Sequence, residues 1–175
     1  MAASATGDLD NAFWKFSLAV YAAPGVADEC LAVQESHGVD VNVLLFCAWL
    51  ASARKVVLAP DDIEGIAAAV GAWHERAVKP LRGVRRFMKD VQGGDVAVLR
   101  TRVKGAEFEA EQVEQAILFA RAEAHWPRAG QAVLPAALWS NLETYLRARG
   151  YRGPGGNALP LHSLCAAVLA LPAAR

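Results

Sequence analysis

This chain of 175 residues has little cysteine, no long apolar run and no net charge, and each shortage narrows what it can be. Its three cysteines, Cys30, Cys47 and Cys165, are an odd number and form no CxxC pair. That excludes a disulfide framework and favours buried, reduced thiols in a cytoplasmic protein. The most apolar stretch, residues 41–53, is 13 residues long, whereas a membrane-spanning helix needs about 20. Asp40 and Asn42 stand at its start and Arg54 and Lys55 close it, so it reads as the buried central helix of a soluble fold and not as a membrane span. The N-terminus lacks the basic and apolar regions of a secretory signal, which again points to the cytoplasm.

The formal net charge of zero removes any global pull toward nucleic acid or acidic lipid. The charges are nevertheless sorted into blocks. Residues 1–78 carry ten acids and four bases, and residues 79–104 carry eight bases and two acids. Residues 105–127 carry five acids and one base, and the remainder five bases and one acid. Such blocks pair within a fold or present one face to a partner.

Signatures of chemistry are missing too. No serine lies in a GxSxG context, the Gly153–Asn157 stretch has no Lys-Ser/Thr after it, and His74-Glu75 is not an HExxH. Cys30, His37 and Cys47 match no zinc spacing. Asp61, Asp62 and Glu64 resemble a magnesium-holding acidic pair, but without a second acidic cluster they read as acids at a helix N-terminus. The sequence therefore presents no catalytic residue, no metal ligand set and no cofactor motif, and it leans away from an enzyme.

What is present is helical periodicity. Phe13, Phe16, Val20 and Tyr21 predict a first helix capped by Asp10 or Asn11. Pro24 opens a second helix that ends near Gly38, and Asp40 caps the central one. Pro60 and Asp61 start a fourth helix, with Glu64 as a capping-box partner. In residues 74–91, Leu81, Val84, Met88 and Val91 form an apolar stripe opposite the basic residues, and Pro80 should kink or restart the helix. Gly93–Asp95 reads as a break, followed by a weakly helical stretch. A separate amphipathic helix runs to His125 on the stripe Ala106, Ala110, Val113, Ile117 and Ala120, with its glutamates elsewhere. Two further helices end the chain. The prediction is an all-α, single compact domain of about six to eight helices over residues 10–175, after a flexible N-terminus at 1–9.

Phe13-Trp14, Tyr21 with Pro24-Gly25-Val26, Gln34 with Gly38 and Asp40-Val41-Asn42, and Trp49-Leu50 together resemble the leading motif of the DUF2390 family of uncharacterised, small bacterial proteins. Residues 78–86 resemble its middle segment. The resemblance covers about residues 10–125, leaving 126–175 as a C-terminal helical extension. No activity comes with it.

Two candidate sites follow from the residues. The basic face made by Lys79, Arg82, Arg85, Arg86 and Lys89 suits an acidic protein surface or a phosphate-rich ligand, and makes an interaction or adaptor protein the leading reading; the alternative for this face is a solvated surface, or pairing with the acidic helix bearing Glu107, Glu111 and Glu114. Nucleic acid is a weaker partner, because only Phe87 lies near for base stacking. On this reading, replacing Arg82, Arg85 and Arg86 by Glu leaves folding intact and abolishes binding. The alternative is a binder of, or enzyme acting on, a hydrophobic or phosphorylated small molecule, in a pocket walled by Trp14, Tyr21, Gln34, Asn42 and Trp49. A buried Asn42 bonded across two helices to Gln34 would instead only set their register.

Overall fold

The computed structural model describes residues 8–172, so most of the expected flexible N-terminus, residues 1–7, lies outside the described residues. Eight α-helices and no strand are found among the described residues. They are α1 (Ala12–Tyr21), α2 (Val26–His37), α3 (Val41–Trp49), α4 (Pro60–Trp73), α5 (Lys79–Phe87), α6 (Gly94–His125), α7 (Leu134–Ala148) and α8 (His162–Ala170). The fold is all-α. No single helix among the described residues is long and apolar enough to cross a membrane.

α3 is the axis of the core. Every residue from Asn42 to Trp49 is buried, and α1, α6 and α7 pack around it. Phe13 and Phe46 meet edge to face at 5.1 Å between ring centres, and Trp49 stacks on Phe46 at 5.8 Å. A fully buried large apolar side chain contributes about 1.5–3 kcal/mol, so this helix is held by its whole circumference.

The ends of the helices are set by local chemistry. Asn11 caps α1 by accepting from the Trp14 N–H at 2.9 Å. Gly25, at φ +81°, starts α2 in a left-handed conformation, and a Cβ there would lie 2.6 Å from Ser163 Oγ; both conditions require glycine. The Glu29 carboxylate in turn accepts from the Ser163 and Leu164 N–H groups, so α2 caps α8. The cap of α4 lies two residues earlier than its acids suggest: it is Ala59, whose N–H donates to Asp62 Oδ2 at 2.9 Å. Glu64 takes no part in that cap.

Two wide π-turns follow α3 (Leu50–Arg54) and α4 (His74–Val78). The second explains Pro80. Proline has no N–H to offer and its ring collides with the carbonyl four residues back. Here the Lys79 N–H reaches His74 O, five residues back, and the extra residue places Pro80 in the opening turn of α5, where no donor is needed. The helical course thus runs from α4 through the π-turn and restarts as α5 at the proline. Gly94–His125 is one helix of 32 residues, with no break between the weakly helical stretch and the amphipathic one.

α7 lies against α3 and α4, outside the family-like part of the sequence. Its Asn141, fully buried, accepts from the Leu58 N–H at 2.8 Å and donates to Cys47 O and Val56 O at 3.2 and 2.9 Å. It thereby ties α7 to the end of α3 and to the segment that follows the wide turn.

A cleft floored by a buried polar relay

The apolar stripe of α5 does not face the core. α5 has no buried residue, and Val84 and Phe87 are 44% and 72% exposed. The arginines turn inward instead. Arg82 donates to Glu107 Oε1 (3.1 Å), Glu111 Oε1 (2.7 Å) and Gln34 Oε1 (2.8 Å). Arg85 grips both oxygens of Glu107. The buried face of α6 is correspondingly displaced from the alanine and valine stripe: Glu107 and Glu114 are buried, while Ala106 and Ala120 are exposed. The cause is charge: α5 and α6 pack through ion pairs, so their faces cannot be read from apolar spacing alone.

Burial pushes the Glu107 carboxyl up, but the guanidinium groups of Arg85 and Arg82 outweigh it and hold the acid below its ordinary value. A carboxyl lowered in the fold adds stability above its unfolded pKa and loses it as pH falls through the folded one. The stability difference between wild type and Arg85→Ala, measured by urea unfolding, is therefore expected to be constant near neutrality and to shrink below about pH 4.

Between α1, α2, the start of α3, α5 and α6 lies a cleft of about 340 Å³. Its walls are Trp14, Leu18, Tyr21, Leu31, Val41 and Leu45, with Phe108 set edge-on to Trp14 at 5.1 Å. Arg82, Arg85, Arg86 and Lys104 line it against Glu107 and Glu111, a balance of four cations to two anions. Arg86 and Lys104 are exposed and form no ion pair among the described residues.

The cleft unites much of the two candidate sites. Trp14, Tyr21, Gln34 and Asn42 line it together with Arg82, Arg85 and Arg86. Trp49 sits behind it in the aromatic core, beside Phe13, Phe46 and Phe119. Lys79 pairs with Glu75, and Lys89 is exposed beyond the cleft. Asn42 does not bond Gln34, which is held by Arg82.

Asn42 belongs to a relay beneath the cleft. Its Nδ2 donates to Glu114 Oε2 at 2.7 Å, and its Oδ1 accepts from Gln115 Nε2 at 2.8 Å. The other oxygen of Glu114 lies 2.9 Å from His74 Nδ1, and that nitrogen also lies 3.0 Å from Asp40 Oδ2. Asp40 Oδ1 caps α3 by accepting from the Asn42 N–H at 2.9 Å. Burial alone would lower the His74 pKa, but hydrogen bonds and charge from Asp40 and Glu114 together raise it to about 9. The Glu114 carboxyl is pushed up by its burial.

The relay assigns its own donors and acceptors. Asn42 presents Nδ2 to Glu114 and Oδ1 to Gln115. Gln115 must then donate, which leaves its Oε1 as a buried acceptor without a partner, lining the cleft. Ser17 Oγ, in the same cleft, is buried and unpartnered too. Each residue is 97% buried, being 3% exposed. Sequence reasoning missed Ser17, Gln115 and His74 as parts of the site, whereas pairing of the basic face with the helix bearing Glu107, Glu111 and Glu114 was its stated alternative, and Arg82 and Arg85 do pair with Glu107 and Glu111. The signal for that pairing was the block of acids in α6 following the block of bases in α5.

A family model described as a protein of unknown function (DUF2390) matches residues 12–118. All residues of the cleft and the relay fall within that match. No curated protein and no solved structure matches the chain.

Proposed function

The chain belongs to the DUF2390 family of proteins of unknown function, and from the geometry of its own cleft we propose that it binds a small organic anion with an apolar body. One observation carries this reading: a concave, mostly apolar site holds two buried polar atoms, Ser17 Oγ and Gln115 Oε1, that lack protein partners. Buried polar groups are nearly always paired, and an orphaned acceptor costs about 1–3 kcal/mol. A ligand that donates to Gln115 Oε1 at the floor removes that cost. Trp14, Tyr21 and Phe108 supply flat apolar contact. Arg86 and Lys104 favour a carboxylate, sulfonate or phosphate toward the mouth. The site has the volume of ordinary small-ligand pockets, about 300–1,000 Å³.

The test is a fluorescence titration with anilinonaphthalene sulfonate, an aromatic anion of this class. One dye per native chain is expected, with at least about tenfold weaker binding when Arg86 and Lys104 are both replaced by Glu. Binding that ignores both reversals, in variants of unchanged fold, would falsify the reading. A second reading, a protein-binding adaptor, is supported by the exposed Val84 and Phe87 of α5 and Val91 in the segment after it, near Lys89. The two separate experimentally, because Phe87→Ser lies outside the cleft and leaves the dye bound while disturbing only a protein partner.

A further inference from the structure

The relay contains a cluster that the cleft does not use. Asp40 at the cap of α3, His74 at the start of the wide turn after α4, and Glu114 in the middle of α6 each bring one ligand atom to within 4.8 Å of the other two. His74 Nδ1 faces both carboxylate oxygens, at 3.0 and 2.9 Å. A ring nitrogen has one proton at most, so it cannot give a full hydrogen bond to each. Two carboxylates against one imidazolium also leave an excess negative charge where the Glu114 side chain is fully buried and the other two are 12% and 14% exposed. The neighbouring cations are engaged elsewhere: Lys79 pairs with Glu75, and the exposed Arg149 donates to Gly38 O.

We propose that Asp40, His74 and Glu114 bind a divalent transition-metal cation through His74 Nδ1, Asp40 Oδ2 and Glu114 Oε1. Bonds of about 2.1 Å at right angles place neighbouring ligand atoms about 3.0 Å apart, which is the spacing found here around Nδ1. The second oxygen of each carboxylate is already held, by the Asn42 N–H and by Asn42 Nδ2, so each acid offers one oriented oxygen. A chamber of about 100 Å³, lined by Asp40, His74, Glu75 and Tyr145 among others, opens beside the cluster and gives room for water to complete the coordination shell. One imidazole and two carboxylates, with no thiolate, suit Mn²⁺, Fe²⁺ or Zn²⁺. The ion takes the place of the Nδ1 proton, cancels the two carboxylate charges and ties α3, α4 and α6 together. Through Asn42 it also braces the floor of the cleft, although the proposal does not depend on what the cleft binds.

The experiment uses the full chain, stripped with EDTA and dialysed, then titrated with Mn²⁺ (free ion by electron paramagnetic resonance) and Zn²⁺ (calorimetry in buffers of different ionisation heat). The expected result is one ion per chain, release of a proton near neutral pH with Zn²⁺, and affinity at least about tenfold weaker in both Asp40→Asn and His74→Gln. Asp40→Asn keeps a good helix cap, so its fold is preserved. The proposal is overturned if the stripped wild-type chain takes up neither ion stoichiometrically, or if a folded variant binds like wild type. The dye titration, run on the stripped protein, fails or succeeds separately.

Discussion

Replacing Arg82 by Glu is expected to destabilise the protein by about 3–5 kcal/mol, the range for breaking a buried ion pair from one side. Arg82 is the hub between α2, α5 and α6: its guanidinium serves Gln34, Glu107 and Glu111 at once, and its side chain is 16% exposed. Substitution by Glu would bring a third carboxylate against Glu107, left with Arg85 alone, and Glu111, left without its arginine. Arg86, one turn further on and unpaired among the described residues, is expected to change stability by no more than about 0.5 kcal/mol when replaced by Glu. Urea unfolding of the two variants checks this, and equal midpoints would show that the inward pairs contribute nothing. The same contrast changes how the basic face must be tested. Reversing Arg82, Arg85 and Arg86 together was expected from the sequence to spare the fold, whereas two of these three arginines are packed against α6. Loss of binding in that triple variant would report unfolding, so surface variants belong at Arg86, Lys89 and Lys104.

Asn141→Ala should be comparably severe, at about 3–5 kcal/mol. The amide joins three backbone groups: the N–H of Leu58 and the carbonyls of Val56 and Cys47, the last of which also accepts from the Leu50 N–H. An unmade buried hydrogen bond costs about 1–3 kcal/mol, and here three are lost together with partial relaxation. Asn141→Asp is the sharper comparison. An aspartate accepts from Leu58 as before but cannot donate to either carbonyl, so it too is expected to fall well below wild type. A midpoint shift in urea with an unchanged slope would locate the effect in the folded state. If Asn141→Asp proved as stable as wild type, the two carbonyl contacts would carry no weight.

Much of the helical order was legible from residue spacing. The central helix followed from an apolar run too short for a membrane, and Asp40 was readable as its cap because a short carboxylate before an apolar segment satisfies a free N–H. Pro80 was read as kinking or restarting its helix, and α5 does start there with the proline in its opening turn, directly after a π-turn. A π-turn depends on the packing around it, and no single residue type announces one. The separate helices expected on either side of residue 105 are one, since a glycine such as Gly105 costs only about 1 kcal/mol inside a long helix that is packed over much of its length.

The sites were less legible, for a definite reason. Periodicity assumes that apolar residues face inward and charged ones outward, and the α5–α6 pair inverts that assumption by matching a basic block to an acidic one. The expected stripe of Leu81, Val84, Met88 and Val91 is left partly or largely exposed, while Arg82, Glu107 and Glu114 go inside. Asp40, His74 and Glu114 come from three separate helices, with the last two 40 residues apart, so no spacing motif could have joined them. By itself the sequence determined the helical class, the identity of the central helix, the family resemblance and the aromatic and amide residues Trp14, Tyr21, Gln34 and Asn42. Only the tertiary structure decided which charges are buried, that Trp49 lies behind the cleft, and that Gln115 is left with an unpaired acceptor. Helix formation and capping are settled by neighbours within a few residues, whereas burying a charge is settled by whether a partner from a distant helix arrives to meet it.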